Sequence, residues 1–223
     1  MQVFILAAGD GERWGNHLGV SKQLIKFANI TLLDRIQKQV IKYKPSSIHI
    51  VTRTLSCMPQ RPEDIRLDTT GYIAQTIALT SHSWGGHNIF LLGDVFYSQD
   101  AIRKIFEYSG DFTFFGRSSG SSLVNCGHGE LFGMVLKSNR IIFFNELLLK
   151  TKEAFHKGYP GNLWNMHHIC SGIQLGLRNI GSSNLIEIDD YTNDIDTPVD
   201  YERRKQLYKR IALSELTDLL KAR

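Results

Sequence analysis

The sequence opens with MQVFILAAGDGERWG, residues Met1–Gly15, in which an apolar run passes directly into a glycine-rich segment. An apolar run that ends in such a turn is typical of a buried strand whose end opens onto a binding site. Glycines let backbone N–H groups approach an anion closely, and Arg13 and the following Lys22 add positive charge. This combination predicts a site for a polyphosphate at the end of the first strand.

Two common glycine signatures do not fit this segment. The dinucleotide fingerprint G-x-G-x-x-G fails because Trp14 stands where its third glycine is required, and no G-x-x-x-x-G-K-[ST] string occurs in the chain. The segment instead resembles the first motif of the nucleotidylyltransferases with a GT-A-like fold, L-A-[AG]-G-x-G-x-R-x-G followed by P-K-x-L. Here the two parts lie at Leu6–Gly15 and Ser21–Leu24, with Ser21 in place of the usual proline.

The resemblance implies a role for each part of this motif. It makes Arg13 and Lys22 the catalytic cations, and we expect both side chains to be exposed in the empty site. The turn between them and the first strand would bind the nucleotide. The nucleotide-binding residues expected there are Leu6, Ala7, Ala8, Gly9 and Gly11.

Two further motifs carry aspartates. The string LLGDV places Asp94 where an apolar strand ends, which is the edge at which open α/β sheets bind ligands. The string DIDTPVDY, with Asp194, Asp196 and Asp200, resembles the family's closing signature [ND]-x-[DN]-T-P-x-D-[LY]. The resemblance implies that Asp94 and Asp196 bind Mg²⁺, with Asp194 as the alternative second ligand. Asp200 falls in the first turn of the following helix and is expected to cap it.

Two segments have both a functional and a structural interpretation. The string DTTGYIAQT contains Gly71 and Gln75. The family commonly contacts base and ribose from such a glycine-bearing loop, so both residues are expected at the nucleotide, unless this is an ordinary helix N-terminus. The serine- and glycine-rich stretch 117–129 lies between two predicted strands. The resemblance assigns acceptor binding to this part of the chain, and a plain surface loop is the alternative.

Strand and helix patterns alternate along the chain, which favours a mostly parallel sheet with helices on both faces. No linker divides the 223 residues, so we expect one domain over 1–223, a Rossmann-like (GT-A-like) α/β/α sandwich. The predicted strands are Gln2–Leu6, Ser47–Val51, Asn88–Leu92, Asp111–Phe115, Leu131–Leu136 and Asn184–Ile188. The predicted helices are Leu32–Tyr43, Tyr72–His82, Gln99–Tyr108, Asn139–His156 and Pro198–Ile211, with a final turn or two in Ser214–Lys221.

Composition excludes several classes of protein. A net charge of +4 and a hydrophobic content of 42% are ordinary for a globular chain, and suit anionic substrates. The most basic string, ERRKQLYKR, is typical of a solvated helix face, so no nucleic acid partner is predicted. No run approaches the ~18 apolar residues of a membrane span, and no signal-peptide pattern is seen. Three widely spaced cysteines indicate reduced thiols and a cytoplasmic location; the oligomeric state stays open, with a homodimer among the options.

Together these features predict a magnesium-dependent nucleotidylyltransferase. It would join an NTP, with CTP or UTP favoured, to a phosphorylated small molecule such as a sugar or polyol phosphate, and release pyrophosphate. The acceptor phosphate is already an anion, so neither a general base nor a Ser, Cys or His nucleophile is required. Two other functions stay open. One is a glycosyltransferase of the same fold class, since Asp194-Ile195-Asp196 matches the D-x-D pattern; the other is a non-catalytic nucleotide-binding regulator.

Overall fold

The computed structural model describes residues 1–9, 11–53, 64–67, 71–177, 181 and 183–221, with side chains described up to residue 210. The strands, numbered along the chain, are β1 (Gln2–Leu6), β2 (Lys26–Phe27), β3 (Ile30–Thr31), β4 (Ser47–Thr52), β5 (Ile65–Arg66), β6 (His87–Leu92), β7 (Val95–Phe96), β8 (Phe112–Arg117), β9 (Glu130–Lys137), β10 (Leu185–Glu187) and β11 (Asn193–Asp194). The α-helices are α1 (Leu32–Val40), α2 (Ile73–Ala78), α3 (Gln99–Phe106), α4 (Ile141–His156), α5 (Leu163–Ser171) and α6 (Pro198–Lys221). Within these residues, no helix combines the length and the apolar character that crossing a membrane requires.

Seven strands form one sheet in the order β10–β8–β9–β6–β1–β4–β5. Strand β1 lies between β4 and β6 and pairs with both in parallel. Val3, Phe4 and Ile5 are fully buried, as is typical of a central parallel strand that is covered on both faces. Among the described strands of this sheet, β9 alone runs antiparallel to its neighbours, β6 and β8. The predicted mostly parallel sheet is therefore confirmed.

Helices cover both faces of the sheet and form two hydrophobic cores. Side chains alternate along a strand, so Val3 and Ile5 face one core, while Phe4 and Leu6 face the other. The first core contains residues from α1, α3 and α6, and the second contains residues from α2, α4 and α5. This is the predicted α/β/α sandwich.

The predicted helices differ from the observed ones in three places. The predicted helix Tyr72–His82 is shorter: α2 ends at Ala78, after which the Thr80 N–H donates to the Ile77 carbonyl at 3.0 Å in a tighter turn and a short 3-10 helix, Ser81–Ser83, follows. The predicted pair Pro198–Ile211 and Ser214–Lys221 is one continuous helix, α6. Helix α5 was not predicted at all.

Helix α5 nevertheless has ordinary start and stop signals. The Asn162 side chain accepts a hydrogen bond from the Asn165 N–H at 3.0 Å, and Gly172 ends the helix in the left-handed conformation at φ 67°. The helix packs against α4 and contributes Leu163 and Met166 to the second core.

Cys126 and Cys170 are free thiols, as predicted, whereas Cys57 lies outside the described residues. The cytoplasmic location stays a prediction.

Candidate active site

The carboxyl ends of β1 and β6 meet in close contact. Leu6 pairs with Leu92, and the Gly93 N–H donates to the Leu6 carbonyl at 2.9 Å. A Cβ on residue 93 would lie 3.0 Å from both the Leu6 carbonyl oxygen and the Ala7 Cβ, so glycine permits this approach. As a result, Asp94 emerges directly beside the glycine-rich turn that follows β1.

A short antiparallel pair brings the closing motif to the same place. Strand β11 pairs with β7, which follows Asp94 in the chain, and the Ile195 N–H donates to the Asp94 carbonyl at 2.9 Å. Ile195 is fully buried in the first core. Because side chains alternate in an extended segment, Asp194 and Asp196 point away from that core.

The N-terminal loop is anchored by Trp14, the residue that breaks the dinucleotide fingerprint. Its indole is buried, and its N–H donates to the Val20 carbonyl at 2.7 Å. Gly11 and Gly15 flank this turn in the left-handed conformation, at φ 65° and 60°, where glycine is favoured. This anchoring leaves the adjacent Arg13 side chain 73% exposed, as predicted. Asp10 lies outside the described residues.

Lys22 bridges the two predicted metal ligands. Its Nζ lies 2.5 Å from Asp94 Oδ2 and 3.0 Å from Asp196 Oδ1, while the Arg13 guanidinium contacts Asp196 Oδ2. The prediction that Lys22 is exposed is wrong, because these carboxylates draw its side chain inward until only 10% of it is exposed. Burial by itself lowers the pKa of Lys22, but the two carboxylates outweigh it and raise that pKa above its usual range.

The carboxylates around Lys22 differ in their ionisation. Burial raises the pKa of Asp196, but a hydrogen bond with Asp194 and the charges of Lys22 and Arg13 outweigh it and hold that pKa below its usual range. Burial and the negative charges of Glu130 and Asp196 raise the pKa of Asp194. Burial also raises the pKa of Glu130, to about 7. Asp194 and Glu130 therefore hold their protons to higher pH than Asp196, whose charge is held by Lys22 and Arg13.

Glu130 was missed by sequence reasoning, because the string GHGEL at the start of β9 matches no motif. Two buried arginines were missed as well. Arg117 donates to the Thr192 carbonyl at 3.1 Å and to Asn193 Oδ1 at 2.6 Å, and Arg204 donates to the Tyr191 carbonyl at 3.1 Å. Both guanidiniums thus hold the segment that leads to Asp194 and Asp196. The string ERRKQLYKR, which includes Arg204, was predicted to form a solvated helix face. This prediction is wrong at Arg204, because the helix turns this side chain toward the sheet and buries it.

Asp200 has the capping role predicted for it. Its carboxylate accepts from the Thr197 N–H at 2.9 Å, and its own N–H donates to the Thr197 hydroxyl at 3.3 Å. This reciprocal pair caps the start of α6 directly after Asp196 and so fixes the position of that aspartate just before the helix.

A cavity of about 330 Å³ opens beside the N-terminal loop. Gln75 Oε1 accepts from the Gly71 N–H at 2.8 Å, so these two predicted nucleotide-binding residues contact each other. Asp68–Thr70, the start of that motif, lie outside the described residues. Three of the predicted site residues, Ala7, Gln75 and Asp94, do not line this cavity. The predicted site residues that do line it are Leu6, Ala8, Gly9, Gly11, Arg13, Lys22, Gly71 and Asp196.

A second cavity, of about 680 Å³, adjoins the first and shares Arg13 and Asp196 with it. One wall comes from the 117–129 stretch, where Ser121 and Cys126 form an isolated antiparallel bridge. Another wall comes from α5, through Trp164 and Asn165. Its other polar lining residues are Asn125, Cys126, His128, Glu130, Asn162, Asn193, Asp194, Thr197 and Asp200.

The donor set fits magnesium bound together with a phosphate ligand. In the described part of the chain, no three His, Cys, Asp or Glu side chains form a complete metal-binding group. Magnesium needs only one or two carboxylates when substrate phosphates and waters complete its octahedron. Asp94 and Asp196 already converge on one cation, the Lys22 ammonium, which shows that their oxygens can share a positive charge.

No family model matches this sequence, and no curated protein matches it either. Solved structures do match its fold. The inositol-1-phosphate CTP transferase from T. maritima matches with a TM-score of 0.64 and 14% identity, over 94% of this chain and 95% of that chain. The fold is that of the nucleotidyltransferases.

Two further structures agree with this result. A nucleotidyl transferase from Methanothermobacter thermautotroptrophicus matches with a TM-score of 0.59 and 17% identity, over 94% of this chain and 98% of that chain. The CTP:phosphocholine cytidylyltransferase from Streptococcus pneumoniae matches with a TM-score of 0.59 and 11% identity, over 92% and 98%. These comparisons confirm the predicted fold class. Because one fold can host many functions, the function is argued from the residues of the site.

Proposed function

We propose that this chain is a magnesium-dependent nucleotidylyltransferase that joins an NTP to a phosphorylated small molecule and releases pyrophosphate. One observation carries the proposal: Lys22 and Arg13, from the N-terminal loop, contact Asp94 and Asp196, and two of these residues, Arg13 and Asp196, line both cavities. Cations beside a glycine-rich turn suit a polyphosphate, and the adjacent carboxylates suit the metal that accompanies it.

The first cavity suits the nucleotide. Gly9 and Gly11 line it, and a Cβ on Gly9 would meet no atom within 4 Å, which leaves its backbone open to a ligand. Backbone amides of this turn, with Arg13 and Lys22, would hold the β- and γ-phosphates. Gly71 lines the same cavity and would lie toward the base and ribose.

The second cavity suits the acceptor, for which a sugar or polyol phosphate remains our choice. Amide, hydroxyl and carboxylate side chains around Trp164 offer both donors and acceptors to a hydroxylated molecule. Arg13 stands at the boundary of both cavities and can receive the acceptor phosphate. The fold neighbours named for inositol-1-phosphate and phosphocholine support a phosphorylated alcohol, and their naming for CTP supports a pyrimidine nucleotide.

The reaction needs positioning and charge neutralisation. An oxygen of the acceptor phosphate attacks the α-phosphorus, a new P–O bond forms, and the bond from the α-phosphorus to the oxygen that bridges to the β-phosphorus breaks. Pyrophosphate leaves with the electron pair of that bond, and Arg13 and Lys22 stabilise its charge. Magnesium held by Asp94 and Asp196 would neutralise the phosphate oxygens around the reacting phosphorus. No proton is removed from the acceptor, so no general base is required.

Pyrophosphate release tests this proposal against its rivals. The protein is incubated with each of the four NTPs, Mg²⁺ and a panel of sugar and polyol phosphates. A nucleotidylyltransferase releases pyrophosphate in one combination. A glycosyltransferase, which the shared position of Asp194 and Asp196 on the second cavity also permits, releases nucleotide from a nucleotide-sugar instead. A non-catalytic regulator would bind NTP, which a thermal-shift measurement would detect, but would release no pyrophosphate.

A further inference from the structure

Cationic side chains of the chain itself hold both oxygens of Asp196 and one oxygen of Asp94. Lys22 Nζ lies 3.0 Å from Asp196 Oδ1 and 2.5 Å from Asp94 Oδ2, and Arg13 contacts Asp196 Oδ2. Magnesium would need such oxygens at about 2.0–2.1 Å. An ammonium and a divalent cation repel each other, so Lys22 weakens the binding of a metal ion to these oxygens while it contacts them.

This bridge is not a typical structural ion pair between packed elements. Lys22 lines the cavity proposed for the nucleotide, and Asp196 lines both cavities. Lysine is a compact point charge on a flexible four-carbon stem, so its ammonium can move several ångströms without moving its backbone. Arg13 is largely exposed and can move as well. Both cations can therefore leave the carboxylates for an anion in the adjacent cavity.

We propose that the Lys22 ammonium occupies the cation position between Asp94 and Asp196 in the absence of nucleotide, and that NTP phosphates draw it away. The proposal rests on the proposed function, because it takes an NTP as the ligand of the first cavity. Metal and NTP then bind with positive coupling. The chain has low affinity for the metal until the nucleotide provides other partners for Lys22, and by reciprocity the metal strengthens NTP binding.

Removal of the Lys22 charge should then increase metal affinity. The probe is Mn²⁺, which prefers the same oxygen ligands as Mg²⁺ and is counted as free ion by electron paramagnetic resonance. Without nucleotide, Lys22→Met should bind Mn²⁺ about 5–150-fold more tightly than the wild type, which is the usual range of such couplings. Lys26→Met removes a nearby exposed lysine charge and should leave Mn²⁺ affinity unchanged. Adding Asp94→Asn to Lys22→Met should reverse the gain.

Two results would overturn the proposal. One is a Lys22→Met variant that is folded by circular dichroism but binds Mn²⁺ no more tightly than the wild type. Should that variant not fold, Lys22→Gln keeps a hydrogen-bond donor at the position without the charge. The other is a wild-type chain whose Mn²⁺ affinity without nucleotide is within threefold of its affinity with a non-hydrolysable NTP. Failure of the proposed function is distinct, since it is absence of pyrophosphate release with every NTP.

Discussion

Asp196 carries more of the proposed chemistry than any other single residue, since both cations of the N-terminal loop contact its carboxylate. Asp196→Asn keeps the size of the side chain and removes its charge. We expect kcat/KM to fall by roughly 10²–10³, the usual cost of losing one preorganised charge contact. The melting temperature should fall modestly with the fold kept, because the lowered pKa of Asp196 means that its charge stabilises the folded chain at neutral pH.

Asp200→Ala is the matched variant, because it removes a carboxylate four residues away that caps α6. It should lower the free energy of unfolding by ~1 kcal/mol, the usual cost of losing a cap, with most turnover kept. Pyrophosphate release and urea unfolding of both variants check this pair. Full turnover in folded Asp196→Asn would remove that residue from the site.

Glu130 makes the stability of the metal-free protein depend on pH. Burial raises its pKa from 4.5 to about 7, so between these values the unfolded chain has released a proton that the folded chain still holds. Stability from this residue is therefore present at low pH and is lost as the pH rises through this window. Glu130→Gln stays neutral and should be more stable than the wild type by ~1–3 kcal/mol at pH 8. Urea unfolding should show that difference shrinking toward pH 5; an equal difference at both pH values would contradict it.

At the scale of elements, the turn after β1 is expected to work through its backbone. Gly9 and Gly86 are both exposed glycines at which an added Cβ would meet no atom within 4 Å. Only Gly9 lines the proposed nucleotide cavity. Gly9→Ala should therefore fold normally and raise the KM for NTP about tenfold, since a methyl group blocks close approach of a phosphate. Gly86→Ala should change neither, and equal KM values for the two variants would show that phosphates do not approach Gly9.

Element patterns explain how far the sequence could predict the fold and the site. Buried strands and the strand-end aspartates were predictable, because apolar runs that end in glycine have few other interpretations. Helix α5 could have been found from Asn162 and Gly172, its cap and its stop signal. The antiparallel direction of β9 could not have been predicted, because the alternation of side chains along a strand is the same in either direction. Arg117 was also beyond prediction, since its partners Thr192 and Asn193 lie 75 and 76 residues further along the chain. Glu130, opposite Arg117 on β9, matches no motif.

At the scale of the whole molecule, one sheet holds together residues from Gln2 to Glu187, and the two cores lie on its opposite faces. Neither core can lose its packing without exposing the same strands. We expect thermal unfolding to be a single transition in which the calorimetric and van't Hoff enthalpies agree, as for one domain. Two resolved transitions would instead indicate separate folding units within the chain and would contradict the single-domain prediction.

The central claim is that a phosphate of an acceptor displaces pyrophosphate from an NTP at the meeting point of Lys22, Asp94 and Asp196. The most direct test compares pyrophosphate release by the wild type and by Asp94→Asn, with the same NTP, acceptor and Mg²⁺. The account predicts one pyrophosphate for each nucleotide-activated product in the wild type, and no magnesium-dependent release in the folded variant. Undiminished release by Asp94→Asn, or release by the wild type that persists in excess EDTA, would contradict it.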